Sequence, residues 1–218
     1  MAHSSNKTIL FTRPDYDLVT NYLFYWTTKL LKEATDRGHG ILDLESKKAI
    51  PKELNGRLKK MKPELCVING HGSETTIYGY DNEPLVDASN LHFLKGTIMY
   101  ARSCSTGAQL GQDCVDAGVL AYIGYSEKFW LCYDIEKTHH PLEDKIANYV
   151  MMPSNQVVVS LLKGKSAAEA TKRSIEYSKK MMKELMSSDA PEGASDMLAC
   201  VFTNMKHQVC LGKQDASI

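Results

Sequence analysis

The chain has 218 residues, of which 43% are apolar and 24% are charged, so it can fold around a substantial core. Its 26 basic and 26 acidic residues give a formal net charge of zero, which disfavours nucleic acid and anionic membranes as partners. No apolar run approaches the length that a membrane span requires.

The termini and cysteines indicate the compartment. Residues 1–7 lack the apolar stretch of a secretory signal, and the six cysteines form no Cys-x-x-Cys pair. We therefore expect a cytoplasmic protein whose cysteines are all thiols, folded as a single domain over residues 1–218.

Strands and helices alternate from the start of the chain. The β-formers of Thr8–Thr12 predict a strand, and apolar residues at helical spacing predict a helix over 17–37. Ile41–Leu44 predicts a second strand, and Pro51 opens a second helix. Leu65–Asn69 shows almost no alternation of apolar and polar residues, which is typical of a strand buried on both faces of a parallel sheet.

The alternation continues after a polar segment, residues 73–87, which predicts a surface hairpin. Core strands are predicted at 97–101 and 119–124, with a helix at 107–117 between them. A capping box at Ser166–Glu169 starts a long helix, and 208–211 predicts a final strand. The fold class is therefore α/β, with three layers and a mostly parallel central sheet.

Reactive residues follow two of these strands. The third strand ends in Gly70–Ser73, which contains His71, and the fourth ends in Arg102–Gly107, which contains Cys104. Active sites of such sheets lie beyond the carboxyl ends of the strands, so His71 and Cys104 are expected on one rim. The helix predicted from Gly107 would favour the Cys104 thiolate.

Other candidate groups are set aside by position or spacing. His39 precedes a strand and is expected on the opposite edge, and no structural zinc pattern fits Cys132 with His139 and His140. Lys163–Ser166 lacks the first glycine of a phosphate loop. No metal or cofactor is expected. The cysteines predicted to be inert, in strands or apolar helices, are Cys66, Cys114, Cys200 and Cys210.

A strand ending in His-Gly, followed by a strand ending in Ser-Cys-x-x-Gly, resembles the caspase-like superfamily of cysteine peptidases. The resemblance extends from about Thr8 to Leu211, and Leu161–Ala170 is similar to a segment of CHAT and gingipain-type domains, of which the CHAT-like branch is expected to be the nearest. The chain departs from the caspase Gln-Ala-Cys motif, since Arg102 and Ser103 precede Cys104.

The resemblance implies a cysteine endopeptidase with a His71–Cys104 dyad and no third triad residue. It further implies an oxyanion hole formed by the backbone N–H groups of Gly72 and Cys104. The partners implied are a protein or peptide substrate and an activating or sensor protein.

Specificity is expected to depend on Arg102, because the position two before the nucleophile helps to line the primary pocket in this superfamily. A guanidinium there would attract an acidic side chain. Glu127, on the same rim, is also expected to contact substrate. Glu127 or Asp134 could instead neutralise Arg102, or could itself select a basic residue.

Two other functions remain open from the sequence. One is a catalytically inactive caspase-like binding module, and the other is a different cysteine hydrolase or amidase on a doubly wound sheet. The second is disfavoured because such enzymes carry glycine where Arg102 stands and place histidine after the cysteine. Residues 126–141 are predicted to be either a mobile active-site loop, open to self-cleavage or partner control, or a buried extra helix.

Overall fold

The structure is a computed structural model that describes residues 6–218. Most of residues 1–7, where the sequence predicts no secretory signal, lie outside the described residues. A six-stranded sheet runs through these residues, with the strands β1 (Thr8–Arg13), β2 (Gly40–Glu45), β3 (Leu65–Asn69), β7 (Ile98–Arg102), β8 (Ala121–Tyr125) and β9 (Gln208–Gly212). The strand order is β2-β1-β3-β7-β8-β9, and all neighbouring strands are parallel except β8 and β9.

A smaller three-stranded antiparallel sheet follows β3 and corresponds to the predicted surface hairpin. Its strands are β4 (His71–Gly72), β5 (Ile77–Tyr78) and β6 (Pro84–Val86). His71 and Tyr78 are register partners, so this small sheet holds the histidine segment in place above the main sheet.

Helices cover both faces of the main sheet, which confirms the three-layer α/β/α fold. The helices are α1 (Leu18–Asp36), α2 (Pro51–Met61), α3 (Leu110–Asp116), α4 (Lys145–Leu162), α5 (Ala167–Leu185) and α6 (Ala194–Lys206). One core cluster lies under α1, α4 and α5, and a second lies under α2 and α3. Alternate residues of each strand enter opposite clusters: Val67 and Tyr100 belong to the first, and Cys66 and Met99 to the second.

Local sequence signals explain several element ends. Asp17 caps α1 through a capping box with Thr20, and Ser166 caps α5 through the box predicted with Glu169. The helix expected from Gly107 begins at Leu110 instead, so the expectation that it starts directly after the nucleophile is wrong. His39 lies beside the start of β2, at the opposite edge from the strand ends that carry His71 and Cys104, as predicted.

Candidate active site

The backbone of the His71 segment packs directly on Cys104. Gly70 has φ 155°, and a side chain there would place its Cβ 2.0 Å from the carbonyl oxygen of Tyr78. A Cβ on Gly72 would lie 2.4 Å from the carbonyl oxygen of Cys104. Only glycine permits this approach, which brings the two strand ends together at one rim.

Cys104 lies on a tightly held turn after β7. The hydroxyl groups of Ser103 and Thr106 hydrogen-bond to each other at 2.9 Å. Ser105 takes a left-handed conformation with φ +60°, and its N–H donates to the carbonyl oxygen of Glu127 at 2.9 Å. Cys104 itself is half-buried, so its thiol can meet both solvent and a bound ligand.

His71 has a carboxylate partner that sequence reasoning missed. Its Nε2 lies 2.6 Å from Oδ2 of Asp17, with 33% and 37% of the two side chains exposed. The Tyr16 ring lies edge-on to the imidazole, with 6.2 Å between ring centroids. Because Nε2 is held by Asp17, Nδ1 is the ring nitrogen left for proton transfer.

Asp17 is fixed by its own hydrogen bonds. Its Oδ1 accepts from the backbone N–H and the hydroxyl of Thr20, both at 2.8 Å. Partial burial acts to raise the pKa of Asp17, but the hydrogen bonds from Thr20 and His71 outweigh it, so the pKa lies below its ordinary value. The carboxylate is therefore ionised at neutral pH and can orient an imidazole.

A signal for Asp17 was present in the sequence. The residue follows β1, and β1 is the parallel neighbour of β3, so its carboxyl end lies at the same rim as His71. A carboxylate just after the first strand could have been read as a candidate on the same rule that identified His71 and Cys104.

The predicted oxyanion donors, Gly72 and Cys104, lie side by side. The position of a Cβ on Gly72 is 3.0 Å from the backbone nitrogen of Cys104. Within residues 6–218 the backbone N–H of Cys104 donates no hydrogen bond, so it is available to a ligand oxygen.

Arg102 is not on the surface of the rim but beneath it. It is the last residue of β7, it is 0% exposed, and its Nη1 lies 3.9 Å from Sδ of Met151 in α4. Its Nε and Nη2 have no hydrogen-bond partner among the described residues. Burial lowers the pKa of the guanidinium, although arginine stays protonated in proteins.

The carboxylates considered as neutralising partners do not pair with Arg102. Glu127 is exposed on the rim, and across residues 6–218 neither it nor Asp134 forms an ion pair with the guanidinium. The structure therefore separates the two predicted substrate-binding residues, one buried at the end of β7 and one exposed after β8.

The prediction that all six cysteines are thiols is wrong. Cys132 and Cys200 form a disulfide, with 6.7 Å between their Cα atoms. The other four are free, and burial raises the pKa of Cys66 and of Cys114 to about 12, as expected for inert thiols. Sequence spacing missed the disulfide because 68 residues separate its halves.

The β8–α4 segment, residues 126–144, contains one 3-10 turn at Ile135–Lys137 and no α-helix. The alternative of a buried extra helix is therefore wrong. The segment is tied to α6 by the disulfide and by two hydrogen bonds of 2.8 Å between Trp130 and Asn204. It is tied to α1 by the Trp26 indole, which donates to the carbonyl oxygen of Pro141. Its mobility stays a prediction.

Other kinds of site are not found in the described part of the chain. Residues 6–218 contain no cluster of three His, Cys, Asp or Glu side chains that could hold a metal ion. None of the helices in this range combines the length and apolar character needed to cross a bilayer.

Comparisons with known proteins identify the fold. No protein family model matches the chain, and no curated protein matches it. Among solved structures it is similar to the Arg-specific cysteine proteinase gingipain R, with TM-score 0.63 and 11% identity over 97% of this chain and 47% of that one. A complex of the pro- and mature domains of Porphyromonas gingivalis RgpB gives TM-score 0.61 and 10% identity over 97% and 48% of the two chains.

The Saccharomyces cerevisiae separase–securin complex is also similar, with TM-score 0.55 and 12% identity over 95% of this chain and 12% of that one. Gingipain and separase are caspase-like cysteine peptidases, so the chain has the caspase-like fold that its two short motifs indicated. It spans about half the length of the gingipain chains and a small part of separase. The nearer relation to CHAT domains stays a prediction.

Proposed function

We propose that the chain is a cysteine endopeptidase with Cys104 as nucleophile, His71 as proton-transfer group and Asp17 as the residue that positions His71. The observation that carries this proposal is the contact set at the rim. His71 is held by Asp17 at 2.6 Å, and the adjoining Gly72 packs on the backbone of the half-exposed Cys104. A nucleophile, a base and an orienting carboxylate are the parts that acyl transfer needs.

The reaction then proceeds in two stages. The Cys104 thiol proton passes to His71, Sγ attacks the peptide carbonyl carbon, and the carbonyl π electrons move to oxygen, where the N–H groups of Gly72 and Cys104 stabilise them. As the C–N bond breaks, His71 protonates the leaving amine. Water then gives a proton to His71, its oxygen attacks the thioester, and the C–S bond breaks to release the acid and restore the thiol.

The exposed Glu127 contacts substrate in this proposal, because its carbonyl oxygen is bound to Ser105 next to the nucleophile. Control by self-cleavage or by a partner is assigned to the β8–α4 segment, which runs past Cys104. Protein partners are supported by analogy alone: the similar structures include a complex with a pro-domain and a complex with securin.

The sequence and the disulfide favour different compartments for this protein. The sequence predicts a cytoplasmic protein, whereas a Cys132–Cys200 disulfide is more typical of oxidising compartments. Non-reducing peptide mapping of the protein isolated from its natural source would show whether this bond exists there.

The proposal is tested with a peptide library and a cysteine-directed probe. Cys104→Ala should lower cleavage by at least about 1,000-fold while leaving the circular dichroism spectrum unchanged. Cys210→Ala is the matched control, since Cys210 is the other partly exposed free thiol and lies away from the rim, so it should retain activity.

Two results would contradict the proposal. One is proteolysis at the wild-type rate by purified Cys104→Ala. The other is labelling of Cys104 by the probe at the same rate in His71→Ala as in wild type. A caspase-like binding module without turnover would show peptide binding but no cleavage by either wild type or Cys210→Ala.

A further inference from the structure

The Arg102 guanidinium is a buried cation with an open hydrogen-bonding edge. Nε and Nη2 are the two donors on one side of the guanidinium, the side that binds a carboxylate through two parallel hydrogen bonds. Both lack a partner among residues 6–218, and the third nitrogen meets only the sulfur of Met151. A buried charge without a counter-ion is strongly unfavourable, so we expect a partner to bind at this edge of the guanidinium.

The chain itself shows the same edge filled elsewhere. Arg13 ends β1 as Arg102 ends β7, and it is also buried, at 4% exposure. Its Nε donates to Oδ1 of Asp43 at 2.9 Å, and its Nη2 donates to Oδ2 of the same carboxylate. Arg13 thus holds an aspartate of its own chain through the donors that Arg102 leaves free.

Arg102 is the buried last residue of β7, next to the turn that carries the nucleophile. It precedes Cys104 by two residues, and β7 alternation places it on the same face of the sheet as Tyr100, toward α4. Its register partner on β3 is Asn69, whose buried Oδ1 also has no hydrogen-bond partner among the described residues. The side chain of a substrate residue bound at Cys104 would need to reach only this buried strand end to meet the guanidinium.

Phe129 lies beside the nucleophile and packs on residues that also neighbour Arg102. Its carbonyl oxygen is 4.0 Å from Sγ of Cys104, and its ring packs on Tyr125 with 4.8 Å between centroids. The ring also packs against the cluster that contains Met151, the residue in contact with Arg102. The backbone of Phe129 is therefore beside the nucleophile while its side chain lies among the neighbours of Arg102, as the cleaved residue of a substrate would.

We propose, resting on the proposed peptidase function, that Arg102 binds the carboxylate of an Asp or Glu residue on the acyl side of the scissile bond, in the space that Phe129 covers. The substrate class is thus a peptide cleaved after an acidic residue. A buried guanidinium would repel an arginine at this position, in contrast to the Arg-specific gingipain of the same fold. Phe129 must move aside for the acidic side chain to enter, which assigns the β8–α4 segment the role of cover.

The test uses peptidyl acyloxymethyl ketones that differ only in Asp, Asn or Lys at the reacting residue. The Cys104 thiolate forms a C–S bond with the probe as the carboxylate of the acyloxy group leaves. Mass spectrometry of this adduct therefore measures which reacting residue the protein accepts, without requiring catalytic turnover. Peptide substrates with the same three residues are assayed in parallel. Wild type should react with the Asp probe about 100-fold faster than with Asn, and more slowly still with Lys.

Substitutions test whether Arg102 causes the preference for an acidic residue. Arg102→Met should abolish the preference for Asp over Asn, whereas Arg13→Met, which removes the paired arginine, should retain it. Phe129→Ala, as an independent variant, should react faster than wild type with the Asp probe and should keep the same preference for Asp over Asn. Equal labelling by Asp and Asn probes in wild type, or an unchanged preference in folded Arg102→Met, would overturn the assignment.

The outcomes separate this inference from the proposed function. Cleavage and labelling without an acidic preference would leave the peptidase intact and reject the role of Arg102. Acid-selective labelling without peptide cleavage would support the Arg102 site and reject the peptidase. No Cys104 labelling by any probe, in wild type or in Phe129→Ala, would reject both.

Discussion

Arg13 and Arg102 end two strands of the same sheet, and both are buried, but among residues 6–218 only Arg13 has a carboxylate partner. Asp43 is a residue of the neighbouring strand β2, so the Arg13–Asp43 ion pair forms whenever the sheet forms. The neighbours of Arg102, on β3 and β8, supply Asn69 and Tyr125 but no carboxylate. A buried arginine can therefore have either a structural or a ligand-binding role, depending on whether the chain itself supplies its carboxylate partner.

The largest expected effects follow from replacing each of the two arginines by methionine, which tests whether they differ in role. Arg13→Met should lower the free energy of unfolding by about 2 kcal/mol, because it leaves Asp43 without its partner at a partly buried site. Arg102→Met should raise it by about 1 kcal/mol, because a well-packed apolar chain replaces an uncompensated charge. Urea denaturation of the two variants measures both.

The opposite result would be informative. If Arg102→Met were destabilised as strongly as Arg13→Met, Arg102 would have a structural partner in solution, and its unpaired edge would not mark a ligand site. The slope of the denaturation curve should match wild type in both variants, which confirms that the same transition is compared.

An effect of similar size, on catalysis rather than on stability, is expected at His71, another basic group at this rim. Asp17→Asn keeps the oxygen that caps α1, since asparagine is as good an N-cap as aspartate, but removes the charge that orients His71. We expect kcat/KM to fall about 10-fold to 100-fold, mainly through kcat, together with a small loss of stability at pH 7, because the amide lacks the stabilising charge of the Asp17 carboxylate.

The control for this prediction is Asp17→Ser, which also caps the helix but is too short to reach His71. It should lose activity at least as much as Asp17→Asn. Wild-type kcat in both variants would show that Asp17 serves only as the cap of α1 and has no part in positioning the imidazole.

The smallest effect concerns pH. The pKa of Asp17 is lowered in the folded protein, so this group stabilises the fold above its unfolded pKa, near 3.8, and that stabilisation is lost as pH falls through the folded pKa. The stability difference between wild type and Asp17→Asn should therefore shrink as pH falls below about 4. A difference that grew under acid would show that the carboxyl is destabilising when ionised.

Much of the fold could be predicted from the sequence because it depends on local patterns. Leu65–Asn69 shows almost no polar alternation, stops at Gly70 and becomes a strand with those bounds, and the capping box at Ser166 starts α5 as expected. The disposition of His71 and Cys104 at one rim also followed, because parallel strands share the direction of their carboxyl ends.

The sequence alone therefore determined the α/β class and the two strand ends that carry His71 and Cys104, since hydrophobic periodicity and glycine placement are local properties. Only the tertiary structure decided which side chains pair. The contacts of Asp17 with His71, Cys132 with Cys200, and Phe129 with Cys104 join segments distant in the chain, and local sequence carries no record of such contacts. The burial of Arg102 was decided in the same way: its depth follows from α4 packing over the end of β7, which residue spacing does not encode.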